Sequence, residues 1–237
     1  MSLPVAILAG GLATRLRPVT ERIPKALVNV HGRPFAEHQI ELLRGHSVTD
    51  IVFLVGHLGG MVRDALGDGA RLGVRIRYAF DGPRPLGTGG AIRAALPLLG
   101  DAFFVLYGDS YLDCDYQSIA RSFIAARRPG LMTVCRNDNR WDRSNVVFIG
   151  SRLVSYNKEH QSPDMQHIDY GLGVFSSGAF HSHPAVGAFE LADVYRRLLT
   201  TGELAAYEVS GRFYEIGSHE GLEATRAHLA ARSAQKS

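Results

Sequence analysis

The 237-residue chain has only two cysteines, Cys114 and Cys135, and they form no C-x-x-C pair. That argues against a redox or metal role, and thiols in apolar or mixed segments are expected to be buried and free. Net charge is also small: 26 basic residues against 23 acidic ones leave +3. A slight excess of this kind does not make the basic surface that nucleic acid requires. No apolar run approaches the roughly 18 to 20 residues that cross a bilayer. The opening MSLPVAILAGG carries no basic leader, so a cytoplasmic protein without a membrane partner is expected. Internal repeats, low-complexity tracts, heptads and hexapeptide periods are missing as well, which predicts a stand-alone unit without a repeat domain. What remains, 46% hydrophobic and 21% charged, is the make-up of a folded domain with a sizeable core.

Through the first 130 residues, apolar runs alternate with helical periodicity. VAILAG, DIVFLVG, VRIRYAF and AFFVLYGD read as strands, and PFAEHQIELLRGH, MVRDALGDGARLG and GGAIRAALPLLG as helices. Repeated βα alternation predicts a mostly parallel, Rossmann-like sheet flanked by helices, with both faces covered so that the strands need not alternate. After YQSIARSFIAARRP the pieces shorten: GLMTVCRN, NVVFIG, RLVSYNK and YGLGVFS predict a mixed, hairpin-rich half beside the sheet. The helix ELADVYRRLLTTG, a strand near RFYEIG and the helix GLEATRAHLAARSA close the chain. No composition shift marks a linker. A single domain over 1–237 is expected.

Open parallel sheets bind ligands at the carboxyl ends of their strands. Here the first strand ends in Gly10 and Gly11, the third leads into PLGTGGA (residues 85–91), and the fourth ends in Asp109 and Ser110. The first glycine turn opens LAGGLATRLRPVTERIPKALV, which carries Arg15, Arg17 and Lys25, with Pro24 fixing the approach of the lysine. Glycine lets backbone N–H groups approach phosphate oxygens while arginine adds forked bonds, a combination suited to a polyanion. The spacing matches neither G-x-G-x-x-G nor G-x-x-x-x-G-K-[ST], so dehydrogenase and P-loop readings lose their main support. His181 and His183 form an H-x-H without further ligands nearby, and Asp113 and Asp115 lack the strand-end context of Asp109.

Taken with PLGTGGA, LYGDSYL and FYEIGSHEGL, the segment LAGGLATRLRPVTERIPKALV resembles the signature of the sugar-1-phosphate nucleotidyltransferases. The resemblance covers nearly the whole chain in the family's order, and it implies that 1–130 mainly binds the nucleotide while 131–237 mainly binds the sugar phosphate and supplies closing elements. GLATRLRP, YGDSYLD, NDNRWDRSNV, IDYGLGVF and FYEIGS are most similar to the branch of D-glycero-α-D-manno-heptose 1-phosphate guanylyltransferases. It implies a GT-A-like fold and attack by a sugar-1-phosphate oxygen on the α-phosphorus of a nucleoside triphosphate, GTP in that branch, with loss of pyrophosphate. Two anions must meet, and one pair of like charges at 4 Å repels by about 4 kcal/mol at an effective dielectric of 20, so cations matter more than a base.

On matching positions the resemblance places Arg15 at the triphosphate, Lys25 at the α-phosphate, and Leu8, Ala9, Gly10, Gly11, Thr14, Gly87 and Thr88 around the nucleotide. Asp109 would hold Mg²⁺ together with Glu215, which stands where the family has aspartate. On the sugar-phosphate side Lys158 would hold the phosphate and Asn145, Asp169 and Gly171 the sugar hydroxyls, with Trp141 as a lid or stacking surface or else a packing residue. Ala13 replaces a common glycine, which puts tight closure of the loop on the triphosphate in question. Other sugar or base specificities, a nucleotide-sensing relative without turnover, and a homo-oligomeric assembly stay open.

Overall fold

The computed structural model describes residues 3–11, 16, 19–183 and 187–236. Ala13, Thr14, Arg15 and Arg17 therefore lie outside the described residues. In chain order the first half comprises β1 (Val5–Leu8), β2 (Asn29–Val30), β3 (Arg33–Pro34), α1 (Phe35–Gly45), β4 (Asp50–Val55), α2 (Gly59–Leu66), β5 (Arg75–Phe80), α3 (Gly87–Leu99) and β6 (Ala102–Tyr107). The second comprises β7 (Ser110–Tyr111), α4 (Tyr116–Ala126), β8 (Gly130–Arg136), β9 (Val146–Ile149), β10 (Arg152–Tyr156), β11 (His167–Ser176), α5 (Leu191–Thr200), β12 (Leu204–Glu208), β13 (Tyr214–Glu215) and α6 (His219–Lys236).

β1 runs between β6 and β4, parallel to both, and β5 lies parallel beyond β4. Its side chains sort by the two-residue period of a strand. Val5 and Ile7 pack with Ile40 and Leu43 of α1 and Val62 of α2, whereas Ala6 packs on the other face with Ile92 and Ala95 of α3. Helices thus cover both faces, α1, α2 and α4 on one and α3 and α5 on the other, which is why these strands are apolar throughout.

The second half differs from the expectation of a body set beside the sheet, because it continues the sheet. β11 pairs antiparallel with β6 on one side and β8 on the other, and β12 adds parallel to β8. The β9–β10 hairpin attaches where Val146 faces His167 at the start of β11. β12, from the sequence LAAYE, has no strong apolar alternation to announce it and is recruited by pairing with buried β8.

Two irregularities carry the chain toward one rim. The β11–β8 register shifts between Asp169 and Gly173, and within that shift Gly171 takes φ +95°, a left-handed conformation that glycine adopts without the strain of a Cβ. Farther on, β13 pairs antiparallel with β7, placing Glu215 opposite Ser110, and α6 packs against β13. Asp115 caps α4 by accepting from Ser118 N–H at 2.9 Å, and Asp113 accepts from His46 at 3.2 Å and also pairs with Arg232. Both aspartates hold structure together away from the rim. Cys114 and Cys135 are buried free thiols.

Candidate active site

Three neighbouring parallel strands, β1, β4 and β6, are followed by glycines at Gly10, Gly56 and Gly108. A Cβ on Gly56 would lie 2.9 Å from the Gly10 carbonyl oxygen, and one on Gly108 would lie 2.5 Å from that of Leu8. Absent side chains therefore let three strand ends close into a flat shelf. Above it opens a cavity of about 640 Å³ lined by Leu8, Ala9, Gly10, Gly11, Lys25, Gly87, Thr88 and Asp109, among others.

The second glycine turn does more than clear space for a ligand. Gly87 has φ +70°, and a Cβ there would strike the Phe189 carbonyl oxygen at 2.5 Å. Thr88 Oγ1 donates to Glu190 at 2.6 Å and accepts from Leu191 N–H at 2.7 Å. The turn is thereby tied to the start of α5 while its edge still lines the cavity.

Asp81, which follows β5 in this cavity, was not singled out by the sequence reading. Its carboxylate oxygen lies 3.2 Å from where a Cβ of Gly56 would stand, on the shelf itself. Burial raises its pKa above the ordinary carboxylate value, with a bond from the Leu86 N–H opposing the rise. A strand-end carboxylate in YAFD was the available signal.

A second cavity, also about 640 Å³, holds Asn145, Lys158, Asp169, Gly171 and Glu215. It shares Tyr107 and Asp109 with the first, so the two halves meet at the end of β6. At that junction Lys25 Nζ donates to Asp109 Oδ2 at 2.9 Å. The Asp109 carbonyl accepts from Ile216 N–H at 2.9 Å, which locks its backbone to the C-terminal segment.

On the far side, Lys158 Nζ donates to Tyr107 Oη at 3.0 Å, lies 3.5 Å from Asp169 Oδ2 and sits 4.8 Å from the centre of the Tyr107 ring. Burial opposes its charge, but the Asp169 carboxylate and Tyr107 more than compensate, so its pKa is raised above the usual lysine range. Burial, reinforced by the Asp169 charge, pushes the Tyr107 phenol up to about 12. Asp169 is 3% exposed and also accepts from Gly171 N–H at 3.1 Å and, weakly, from Tyr156 Oη at 3.4 Å. Asn145 Oδ1 takes the Asp169 N–H at 2.9 Å, leaving its amide nitrogen as the donor for a ligand. The bulge thus explains why these residues share a wall.

Trp141 has a packing role at the edge of a cavity. It lines the second cavity and packs edge-on against Phe213, with the rings 5.9 Å apart and at 88°. Arg143, also on this wall, donates to the neutral Gln161 side chain at 3.0 Å and has no carboxylate within ion-pair distance among the described residues. It lies within NDNRWDRSNV, but nothing in that motif distinguishes it from the neighbouring Arg140. His183 stacks on Phe189 at 4.6 Å, a packing role within its loop.

Asp109 and Glu215 are oxygen donors carried on the β7–β13 junction, a set that suits a hard divalent cation. Glu215 accepts from Gly217 N–H and from Ser218 Oγ, the latter at 2.7 Å, so its carboxylate is oriented by its own turn while each oxygen keeps a lone pair. The donor chemistry therefore fits Mg²⁺.

The nucleotidyl transferase family model matches residues 5–231. The chain belongs to that family. It is 40% identical over 234 residues to a glucose-1-phosphate thymidylyltransferase of Streptomyces antibioticus, covering 94% of this chain and 65% of the relative. Against a mannose-1-phosphate guanyltransferase beta-B of Xenopus laevis it is 28% identical, covering 89% of this chain and 60% of the relative. The chain thus spans about two thirds of the length of these relatives. Among solved structures, HddC of Yersinia pseudotuberculosis superposes with a TM-score of 0.79 at 25% identity, covering 96% of this chain and 99% of that one. A Bacillus anthracis protein solved in complex with sucrose superposes at 0.83, with 24% identity over 95% of this chain and 94% of that one, which supports the fold. Membership of this family sets aside the dehydrogenase alternative.

Proposed function

We propose that the protein transfers a nucleotidyl group from a nucleoside triphosphate to a sugar 1-phosphate, releasing pyrophosphate. Two cavities meeting at Asp109, with Lys25 bonded to that carboxylate, carry this reading. A triphosphate in the first cavity and a sugar phosphate in the second would bring donor and nucleophile together at the shared rim. The nucleophile is already an anion, so no general base is needed, and positioning with charge neutralisation does the work. Lys25 would leave Asp109 to bond the α-phosphate, and Arg15 would hold the departing pyrophosphate. Lys158, oriented by Tyr107 and Asp169, would hold the acceptor's phosphate, with Arg143 adding a cation on that wall. Asn145, Asp169 and Gly171 would contact the sugar. Mg²⁺ held by Asp109 and Glu215 would supply neutralisation of the triphosphate.

For the finer assignment we propose GTP and D-glycero-α-D-manno-heptose 1-phosphate. The named relatives include a thymidylyltransferase and a guanyltransferase, so family membership leaves the base open. Asp81 favours guanine. A carboxylate offers two acceptor oxygens, and guanine presents adjacent N1–H and N2–H₂ donors on one edge, whereas uracil and thymine present a single N–H between carbonyls. The heptose rests on the motif resemblance in YGDSYLD and FYEIGS. Pyrophosphate release across a matrix of nucleoside triphosphates and sugar 1-phosphates tests both assignments. With heptose 1-phosphate, GTP should exceed UTP and CTP by about 10²-fold or more in kcat/KM. Preference for a pyrimidine nucleotide, or equal use of glucose and mannose 1-phosphates, refutes the finer assignment and leaves the reaction class standing.

A further inference from the structure

The loop that carries Asp109 is gripped from behind by a residue far away in sequence. Gln39, on α1, is 1% exposed, and its side-chain amide nitrogen donates to the Tyr107 carbonyl at 3.3 Å and the Ser110 carbonyl at 2.7 Å. These two carbonyls bracket Gly108 and Asp109. An amide nitrogen has two N–H groups, and both are directed at this loop. Its carbonyl oxygen Oε1 is buried with no partner among the described residues. A side chain serving only to fill α1's inner face would do so better as leucine or methionine, since an unpaired buried acceptor costs free energy that an apolar group avoids.

We propose that Gln39 is a positioning residue for Asp109: its two N–H groups fix the span from Tyr107 to Ser110 so that the carboxylate stands at the junction of the two cavities. Among the described residues this short span is flanked by strand pairing of Tyr107 with Leu8 and of Ser110 with Glu215, and within it lie the bond from Gly108 N–H to the Leu8 carbonyl at 3.0 Å, the bond from Ile216 N–H to the Asp109 carbonyl at 2.9 Å, and the Gln39 fork. The first of these bonds comes from β1 and the second from the C-terminal segment. Among the described residues, Gln39 is the one side chain that bonds carbonyls on both sides of the aspartate, and it reaches them from α1. With it removed, Asp109 keeps its charge and its contact with Lys25 but loses a fixed direction. The inference rests on the proposed role of Asp109 in nucleotidyl transfer.

The test compares wild type with Gln39→Leu and Gln39→Glu, using hydrogen exchange of the Gly108 and Ile216 amides beside kinetics. Gln39→Leu should exchange these two amides about 10-fold or more faster while the β4 amides keep their protection. Its kcat should fall about 10- to 100-fold, as expected for a small misplacement of a reacting group, with KM for the triphosphate changed less than kcat and the half-saturating Mg²⁺ concentration raised. In Gln39→Glu an ionised carboxylate faces two carbonyl oxygens, and only its protonated form can donate to one of them. Lowering the pH should therefore recover part of the lost kcat, a rescue absent from Gln39→Leu, and this variant keeps the question answerable if the leucine variant does not fold. Local exchange unchanged in both variants, or a kcat within twofold of wild type, overturns the proposal; so does a fall in kcat without faster exchange at Gly108 and Ile216. Absence of pyrophosphate release by the wild type itself, with every substrate pair, instead refutes the underlying reading of the reaction.

Discussion

Gly108→Ala perturbs the shelf at its tightest point. The new methyl would lie 2.5 Å from the Leu8 carbonyl oxygen, 3.1 Å from the Leu8 carbonyl carbon and 3.2 Å from Ala9 Cα. All three are backbone atoms of β1 or of its immediate continuation, so no side chain can rotate away. Relief requires the end of β6 to move back by about 1 Å to restore ordinary non-bonded separation. Overpacking of this kind costs about 1 to 3 kcal/mol, which in a domain of this size lowers Tm by about 2 to 12 °C. The movement also carries Asp109, the next residue, and a displacement of about 1 Å costs on the order of 10²-fold in rate. Denaturant melts and a pyrophosphate-release assay on the same preparation measure both effects. If Gly108→Ala melts with wild-type stability and turns over within twofold of wild type, the strand ends are not closed as described and the shelf argument fails.

Other perturbations separate the remaining parts of the site. Asp109→Asn should lower turnover by on the order of 10²-fold or more by removing one preorganised charge, measured as kcat at saturating Mg²⁺. Asp81→Asn should weaken the preference for GTP, read as a ratio of kcat/KM values. It should also raise Tm at neutral pH, because a carboxyl whose folded pKa is raised gives stability below its unfolded pKa that is lost as pH rises through the folded value. Lys158 obeys the same sign at the other end of the scale: its raised pKa keeps it protonated through the ordinary lysine range, so its contribution to stability is complete below about pH 10. A wild-type pH profile of kcat/KM should accordingly show no basic limb attributable to Lys158 below that pH, and replacing Asp169 with Asn should bring one in. Gly171→Ala should destabilise by about 1 to 2 kcal/mol through backbone strain alone, since its Cβ would meet nothing closer than 3.4 Å, and equilibrium unfolding measures the loss.

What could be read from the sequence followed how locally each feature is encoded. β1, β4, β5 and β6 announce themselves as apolar runs because both sheet faces are covered, and their helices announce themselves by period. The continuation of the sheet through β11 was not legible, since antiparallel pairing with β6 depends on where a long loop returns the chain. β12 was missed because LAAYE is short and its partner lies 74 positions upstream, with Leu204 set against Gly130. Among the site residues, Lys25 and Asp109 were visible through motif and strand-end context, and the structure bonds them directly. Asn145, Lys158, Asp169 and Gly171 come to one wall through a bulge that only the Gly in YGLG hints at. Asp81 and Gln39 lie outside every motif, and Arg143, although inside NDNRWDRSNV, is not distinguished there from its neighbours. Their chemistry depends on what faces them: a glycine shelf, a neutral glutamine and a pair of backbone carbonyls. Arg15 and Thr14, central to the motif, lie outside the described residues, so their roles stand on the resemblance.

The central claim is that the nucleotide's α-phosphorus passes to a sugar 1-phosphate at the junction marked by Asp109 and Lys25. Incubation with GTP labelled at the α-phosphorus, with and without D-glycero-α-D-manno-heptose 1-phosphate, tests it most directly when label and pyrophosphate are followed together. The account predicts label appearing only in a nucleoside diphosphate sugar, one pyrophosphate per product, and no turnover without the acceptor. Label released as free nucleotide in the absence of acceptor, label bound covalently to the protein, or no transfer from any nucleoside triphosphate to any sugar 1-phosphate would contradict it.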